Sequence, residues 1–388
     1  FILLVPWLVT AVHERNRERI QWFPAITLPT LALIIMSSFS ILAARNITLS
    51  LFDIAMYGKM LIFFLYLANN IRDNRDVGLV VTALLFGLVM ESGVMVAQYY
   101  SGSALGLVGT EELSNFVAYK REARMVLRPG GTVGNVNGFA RYLGFILPIA
   151  SILMLTTRER KMFLLSLLAA MGGLVALILT QSRSVWGAFL VAMMAGMVFI
   201  LMRNLVTLRT LKRIGMALLL VAGLAFFYGE TVYNRLTGDD HGSAKSRLTT
   251  ARVALEIIND HPVLGVGVNN YDSYIREYWR IEDPFTKVAV VHNNYLLILA
   301  EIGLIGFAAF LWLLAALLVR TMAAMKCRVK FFREIAVGLF VSVVCFLLAS
   351  LADGYKSSLT LMYLFWTIAA ITEALIHLDR SWRDQAVE

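Results

Sequence analysis

The chain has 388 residues, 59% of them hydrophobic and 16% charged, against roughly 25% charged in an average soluble domain. A water-soluble fold cannot hide that much apolar surface. The net charge of +9 is gathered in short loops, where Lys and Arg set membrane orientation, so nucleic acid is set aside as a partner.

In chain order, Phe1 to Ala11 is apolar but too short to span, and it reads as the end of a helix that begins upstream. Apolar runs long enough to cross a hydrocarbon core of roughly 30 Å follow at about 24 to 43, 51 to 68, 78 to 100, 133 to 156, 162 to 180, 184 to 202, 211 to 230, 292 to 319, 332 to 352 and 358 to 377. With the partial run at 1 to 12, the expectation is an all-α polytopic membrane protein of about 11–12 transmembrane helices.

Three short loops carry the basic residues: Arg158, Arg160 and Lys161; Arg203, Arg209, Lys212 and Arg213; and Arg320, Lys326, Arg328, Lys330 and Arg333. All three fall on one side, which should be cytoplasmic. The tail from Leu378 is then inside, and the long connections at about 101 to 132 and 231 to 291 face outward. Three regions result: an N-terminal bundle over 1–230, an outward loop domain over 231–291, and C-terminal helices with a tail over 292–388.

The second outward loop is longer than neighbouring helices need, so it should fold. Ser246 to Ile258 has helical spacing at Ala251, Ala254, Leu255 and Ile258, and His261-Pro262 ends it. Leu264 to Tyr271 reads as a Gly-Asn turn rather than a nucleotide fingerprint, because no strand precedes it. Cys327 and Cys345 have neither zinc nor disulfide spacing. There is no DxD-like pair, and Asp239-Asp240 is a plain acidic turn, so no metal and no cofactor is expected.

His292 opens a span. On a continuous helix Leu299, Gly303 and Gly306 return to within about 40° of it, and Glu301 points about 180° away. Two readings are open: an interfacial anchor above ordinary glycine packing, or an imidazole held against a close neighbour as a proton acceptor. Arg183, in a very short turn on the outward side, is either a boundary residue whose head reaches for water or an anion ligand. Arg247 and Arg252 lie on the loop helix, and Arg128 and Arg141 flank the Gly/Asn-rich stretch Gly130 to Gly138. Converging guanidinium forks suit a diphosphate, and backbone N–H groups at a helix start suit an anion. Ordinary ion pairs would consume the same arginines. The ionisable residues Asp53, Lys59, Glu91, Glu301, Asp353 and Glu373 within apolar runs are functional suspects because burying them is costly.

The run from His292 has His, Asn293, nine residues, Gly303, two residues and Gly306. It resembles the signature of the O-antigen ligase family, as do the SRS turn and the HPVLGVG loop before the histidine helix. Bacterial polysaccharide polymerases and protein O-oligosaccharyltransferases share much of the pattern. The resemblance implies a GT-C-like bundle in the bacterial inner membrane with its site facing the periplasm. It implies transfer of a polysaccharide from an undecaprenyl-diphosphate donor to a lipid A-core acceptor, with membrane lipid around both and without a metal. The implied roles are His292 as general base, Arg183 and Arg247 on the diphosphate, and Asn293, Arg128, Arg252 and Asp353 binding substrate. A polymerase or protein O-oligosaccharyltransferase is the alternative within enzymes; a lipid-linked sugar transporter is the alternative outside them.

Overall fold

In the computed structural model the described residues are 23–107, 119–121, 124–126, 128–202, 206–238, 243–280, 290–352 and 358–385. The expected partial span at 1 to 12 lies outside them, as does Asp353. Twelve α-helices occur among the described residues: α1 (Thr27–Phe39), α2 (Ile47–Asn70), α3 (Asn74–Ser101), α4 (Val136–Thr156), α5 (Arg160–Thr180), α6 (Arg183–Met202), α7 (Leu208–Thr237), α8 (Ser243–Asp260), α9 (Tyr271–Tyr278), α10 (Asn294–Ala324), α11 (Lys330–Ala349) and α12 (Leu359–Gln385). Nine of them, α2 to α7 and α10 to α12, are long and apolar enough to cross a membrane. The run expected to span 24 to 43 forms α1 and a 3-10 turn, Ser40–Ala43, a shorter apolar helix. The protein is an all-α polytopic membrane protein, with one antiparallel ribbon of two three-residue strands that pairs Tyr119 with Val126.

Local chemistry sets the helix limits. Asn46, Asp73 and Thr207 accept from backbone N–H groups at the starts of α2, α3 and α7, as short polar side chains do at N-caps. Gly102, at φ 67°, closes α3.

The contacts divide the chain into two units, neither continuous in sequence. The first takes the described residues of 1–72, 239–320 and 350–378, the second those of 73–238, 321–349 and 379–388. In the second unit α4 is the core: 19 of its 21 residues are buried, although Pro148 lies inside the helix. Small residues let its neighbours approach closely. A Cβ on Gly338 of α11 would lie 3.0 Å from Ile149 Cα, and one on Gly196 of α6 would lie 2.4 Å from Val341 of α11. Ser342 Oγ donates to Phe145 O at 2.6 Å, and Phe145 stacks on Phe346 at 5.0 Å.

In the first unit α2 and α12 meet through Phe63–Tyr363 and Phe64–Trp366 contacts. Arg320 of α10 and Glu373 of α12 form a two-pronged ion pair, both bonds 2.7 Å, and the carboxylate side chain is 3% exposed. The 243–280 region packs on the start of α10 through a cluster that includes Val253, Ala254 and Ile257 of α8, Tyr271 and Ile275 of α9, and Val291, Leu297 and Ala300.

Candidate functional site

In the first unit the histidine segment is built around a broken helix. Gly303 interrupts α10 at φ 65°, ψ −174°, a region that only glycine occupies readily. The loop after α8 fills the break. Leu304 N donates to Pro262 O, and Val266 N to Ala300 O, both at 2.9 Å. The approach is backbone to backbone: a Cβ on Gly303 would meet Val263 O at 2.1 Å, and one on Gly265, itself at φ 68°, would meet the Glu301 carbonyl carbon at 2.4 Å. The expectation that Leu299, Gly303 and Gly306 form one continuous face with His292 is therefore corrected. The helical period does not run through Gly303, and α10 begins only at Asn294. Gly303 admits a loop rather than a neighbouring helix.

The same loop is tied to α2 and to the turn before it. Gly267, at φ 94°, lies against Ala44, leaving no room for a Cβ. Asn270 Oδ1 accepts from Asn46 N at 2.7 Å, and its Nδ2 donates to Ser50 Oγ at 2.9 Å and Asn46 O at 3.2 Å. Ser50 Oγ donates to Val268 O, Ser40 Oγ accepts from Val268 N, and Asn269 Nδ2 reaches Asp53 Oδ1 at 3.0 Å. Asp53 thus serves this network. Lys59 Nζ lies 5.3 Å from the Tyr363 ring centroid, Glu301 is buried beside the break, and Glu373 is held by Arg320.

His292 is exposed immediately before α10. Asn293 Oδ1 accepts from Tyr295 N at 3.0 Å and Leu296 N at 3.1 Å, so its carboxamide caps the helix. Asn294 N donates to Ser350 O at 2.9 Å, while both polar atoms of its side chain are buried and have no hydrogen-bond partner among the described residues. Sequence reasoning passed over Asn294, because a polar residue at a helix start looks like a cap.

On α8, Arg247 is exposed. Arg252 is paired: Nη1 donates to Glu256 Oε1 and Oε2 at 3.0 and 2.9 Å, and Arg280 also reaches Glu256. Arg252 and Glu256 line an open groove of about 590 Å³ with Leu248, Leu255 and Tyr278. The Tyr278 phenol donates to Asp260 at 2.9 Å; burial first, then that carboxylate, push it up to about 12. Behind α9, Arg45 stacks 3.6 Å from the Tyr274 ring centroid and pairs with Glu277.

In the second unit Arg128 and Arg183, both singled out from the sequence, lie at the turn between α5 and α6. Arg183 is the first residue of α6 and is half-buried. Arg128 is buried, and its Nε donates to Thr180 O at 2.8 Å. Arg235 Nε donates to the next carbonyl, Gln181 O, at 3.0 Å. Arg235 was missed because the apolar run ends near 230, whereas α7 continues to Thr237; the signal was Tyr233 and Leu236 carrying the helical spacing up to Gly238.

Two N–H groups of the Gly130 to Gly138 stretch are already bonded to side chains. Glu91 accepts from Thr132 N at 3.1 Å and from Thr132 Oγ1, and Asn135 Oδ1 accepts from Gly138 N at 2.6 Å. Arg141 Nε donates to Asn137 O at 3.1 Å within α4.

No curated protein matches the chain significantly. Residues 168–311 match the family model described as O-antigen ligase, a stretch that runs from α5 into α10 and includes Arg183, Arg235, Arg247, Arg252, His292, Asn293 and Gly303. The match supports membership of the O-antigen ligase family and a function of the O-antigen ligase and polymerase type, in a chain whose described residues include nine helices long and apolar enough to cross a membrane.

Proposed function

We propose that the protein transfers a polysaccharide from undecaprenyl diphosphate to a sugar of the lipid A core, at the periplasmic face of a bacterial inner membrane. The observation that carries this reading is an exposed imidazole at a capped helix start, within the stretch that matches the ligase family. The clustering of Lys and Arg in the short loops supports the orientation.

In the proposed reaction the acceptor hydroxyl oxygen attacks the anomeric carbon and passes its proton to His292. The bond between that carbon and the diphosphate oxygen breaks, and the electron pair leaves with undecaprenyl diphosphate. One displacement inverts the anomeric centre. Charge grows on the leaving diphosphate, and Arg183 and Arg247 are the side chains assigned to balance it, so the transfer is expected to proceed without a divalent ion. Arg128 supports the Arg183 turn. Asn293 orients His292 by capping α10, and Arg252 and Asp353 are substrate contacts.

The test mixes carrier-linked polysaccharide with lipid A-core in detergent and excess chelator, and compares the native chain with His292→Ala. Core-linked product of inverted configuration from the native chain alone is expected. Equal product from His292→Ala would remove the base assignment. Lengthened carrier-linked chains in place of core-linked product would make the protein a polymerase.

A further inference from the structure

Within the second unit, α7 is fixed at its two ends. Its sole buried residue is Thr210, and Phe226 and Phe227 are exposed, so packing along its length does little to hold it. At one end Arg213 Nη1 donates to Thr157 O at 2.6 Å, just past the last turn of α4. At the other, Arg235 Nε donates to Gln181 O, with Tyr228 Oη 3.0 Å from Tyr100 Oη one helical stretch earlier.

The turn that Arg235 grips reverses the chain between α5 and α6. Gln181 is left-handed at φ 52°, a conformation that a residue with a side chain adopts only when its surroundings enforce it. Four carbonyls at the end of α5 and in the turn find partners. Leu177 O accepts from Thr180 Oγ1 and Trp186 Nε1, both at 2.7 Å. Ile178 O accepts from Gln181 N, Thr180 O from Arg128 and Gln181 O from Arg235. Charged donors make the stronger hydrogen bonds, and these two hold consecutive carbonyls. Arg183 begins α6 two residues beyond the second of them.

We infer that Arg235 is a positioning residue for Arg183: its guanidinium locks the left-handed turn and thereby fixes where the Arg183 side chain starts. The inference rests on the diphosphate role proposed above for Arg183. It gives α7 a part in donor binding through one backbone contact, and it makes Arg235 matter only while Arg183 is present.

The test is a double-mutant cycle on the full chain in detergent, with initial rates of transfer measured against donor concentration for native, Arg235→Gln, Arg183→Gln and the double variant. A displacement on the order of 1 Å costs roughly 100-fold in rate, so Arg235→Gln should lower kcat/KM for the donor by about 10- to 100-fold while the protein remains folded and monodisperse in detergent. In the Arg183→Gln background the same change should cost less than about twofold, because the coupled pair is already broken. Native kinetics for Arg235→Gln beside an impaired Arg183→Gln would overturn the inference alone, as would fully multiplicative losses in the double variant. Native kinetics for Arg183→Gln would overturn the diphosphate role and the inference with it. If Arg235→Gln does not fold, Arg235→Lys, which keeps the charge but not the planar Nε donor, carries the same comparison.

Discussion

Replacing Gly303 by alanine separates two accounts of α10 by the sign of the effect. On a continuous helix, alanine in place of glycine stabilises by about 0.5–1 kcal/mol. In the observed conformation the new Cβ would stand 2.1 Å from Val263 O and 2.7 Å from Gly265 N, so the loop must withdraw or the backbone must leave its angles. The angles are worth about 1–3 kcal/mol. The Leu304–Pro262 and Val266–Ala300 bonds add about 0.5–1.5 kcal/mol each, for a destabilisation on the order of 2–6 kcal/mol. The assay is the fraction of full-length protein that remains monodisperse in detergent after heating, with Gly58→Ala as control, since a Cβ there has nothing within 4 Å. Gly303→Ala should lower the apparent midpoint by on the order of 10 °C, while the control should hold or rise slightly. A midpoint for Gly303→Ala at or above the native one would refute the broken helix and restore the continuous glycine face.

Glu373→Ala strands the Arg320 guanidinium, whose side chain is 19% exposed, and should cost about 3–5 kcal/mol; Arg320→Met with Glu373→Leu should recover most of it in the same heating assay. Asn294→Leu removes two buried polar atoms that lack partners among the described residues and should raise stability by about 1–3 kcal/mol, whereas a lower midpoint would mean that the carboxamide is hydrogen-bonded. Hydrogen bonding to Arg45 holds the Glu277 carboxyl below its ordinary value of 4.5, so the pair's contribution is complete above that value and is lost as pH falls through the lowered one. The midpoint difference between native protein and Glu277→Gln should therefore shrink as pH drops from about 5 towards 3; a constant difference would show that the pair does not act through titration.

The membrane-crossing runs were legible because a helix in lipid needs an unbroken apolar stretch to satisfy its backbone, and composition alone reveals such stretches. Where backbone is irregular but buried in protein, composition falls silent. Gly303 illustrates this: a glycine inside an apolar run suits close helix packing and helix breakage equally, and only its dihedral angles decide. Asn270 and Ser50 are equally silent, since a turn residue and a polar residue in a span reveal nothing of the bond that joins them across 220 positions. Arg235 was hidden because the apolar signal stops before the helix does. Of the residues proposed from sequence, Arg128 and Arg183 are brought to one turn, His292 and Asn293 to one helix start, and Arg247 and Arg252 to one helix, on which only Arg252 carries an observed ion pair.

The spacing that carried the resemblance acquires a physical meaning from the break. The residues between His292 and Gly303 comprise the cap at Asn293 and the short helical segment that precedes the interruption. One end of that segment presents the imidazole, and the other accepts the backbone of residues 262–266. Lengthening it by one residue would turn its start by 100° relative to the locked loop, carrying His292 to another face of the same helix. Gly265 and Gly303 then need no chemistry of their own. Each provides a backbone that can be approached without a Cβ, and together they fix the register from which the histidine is measured.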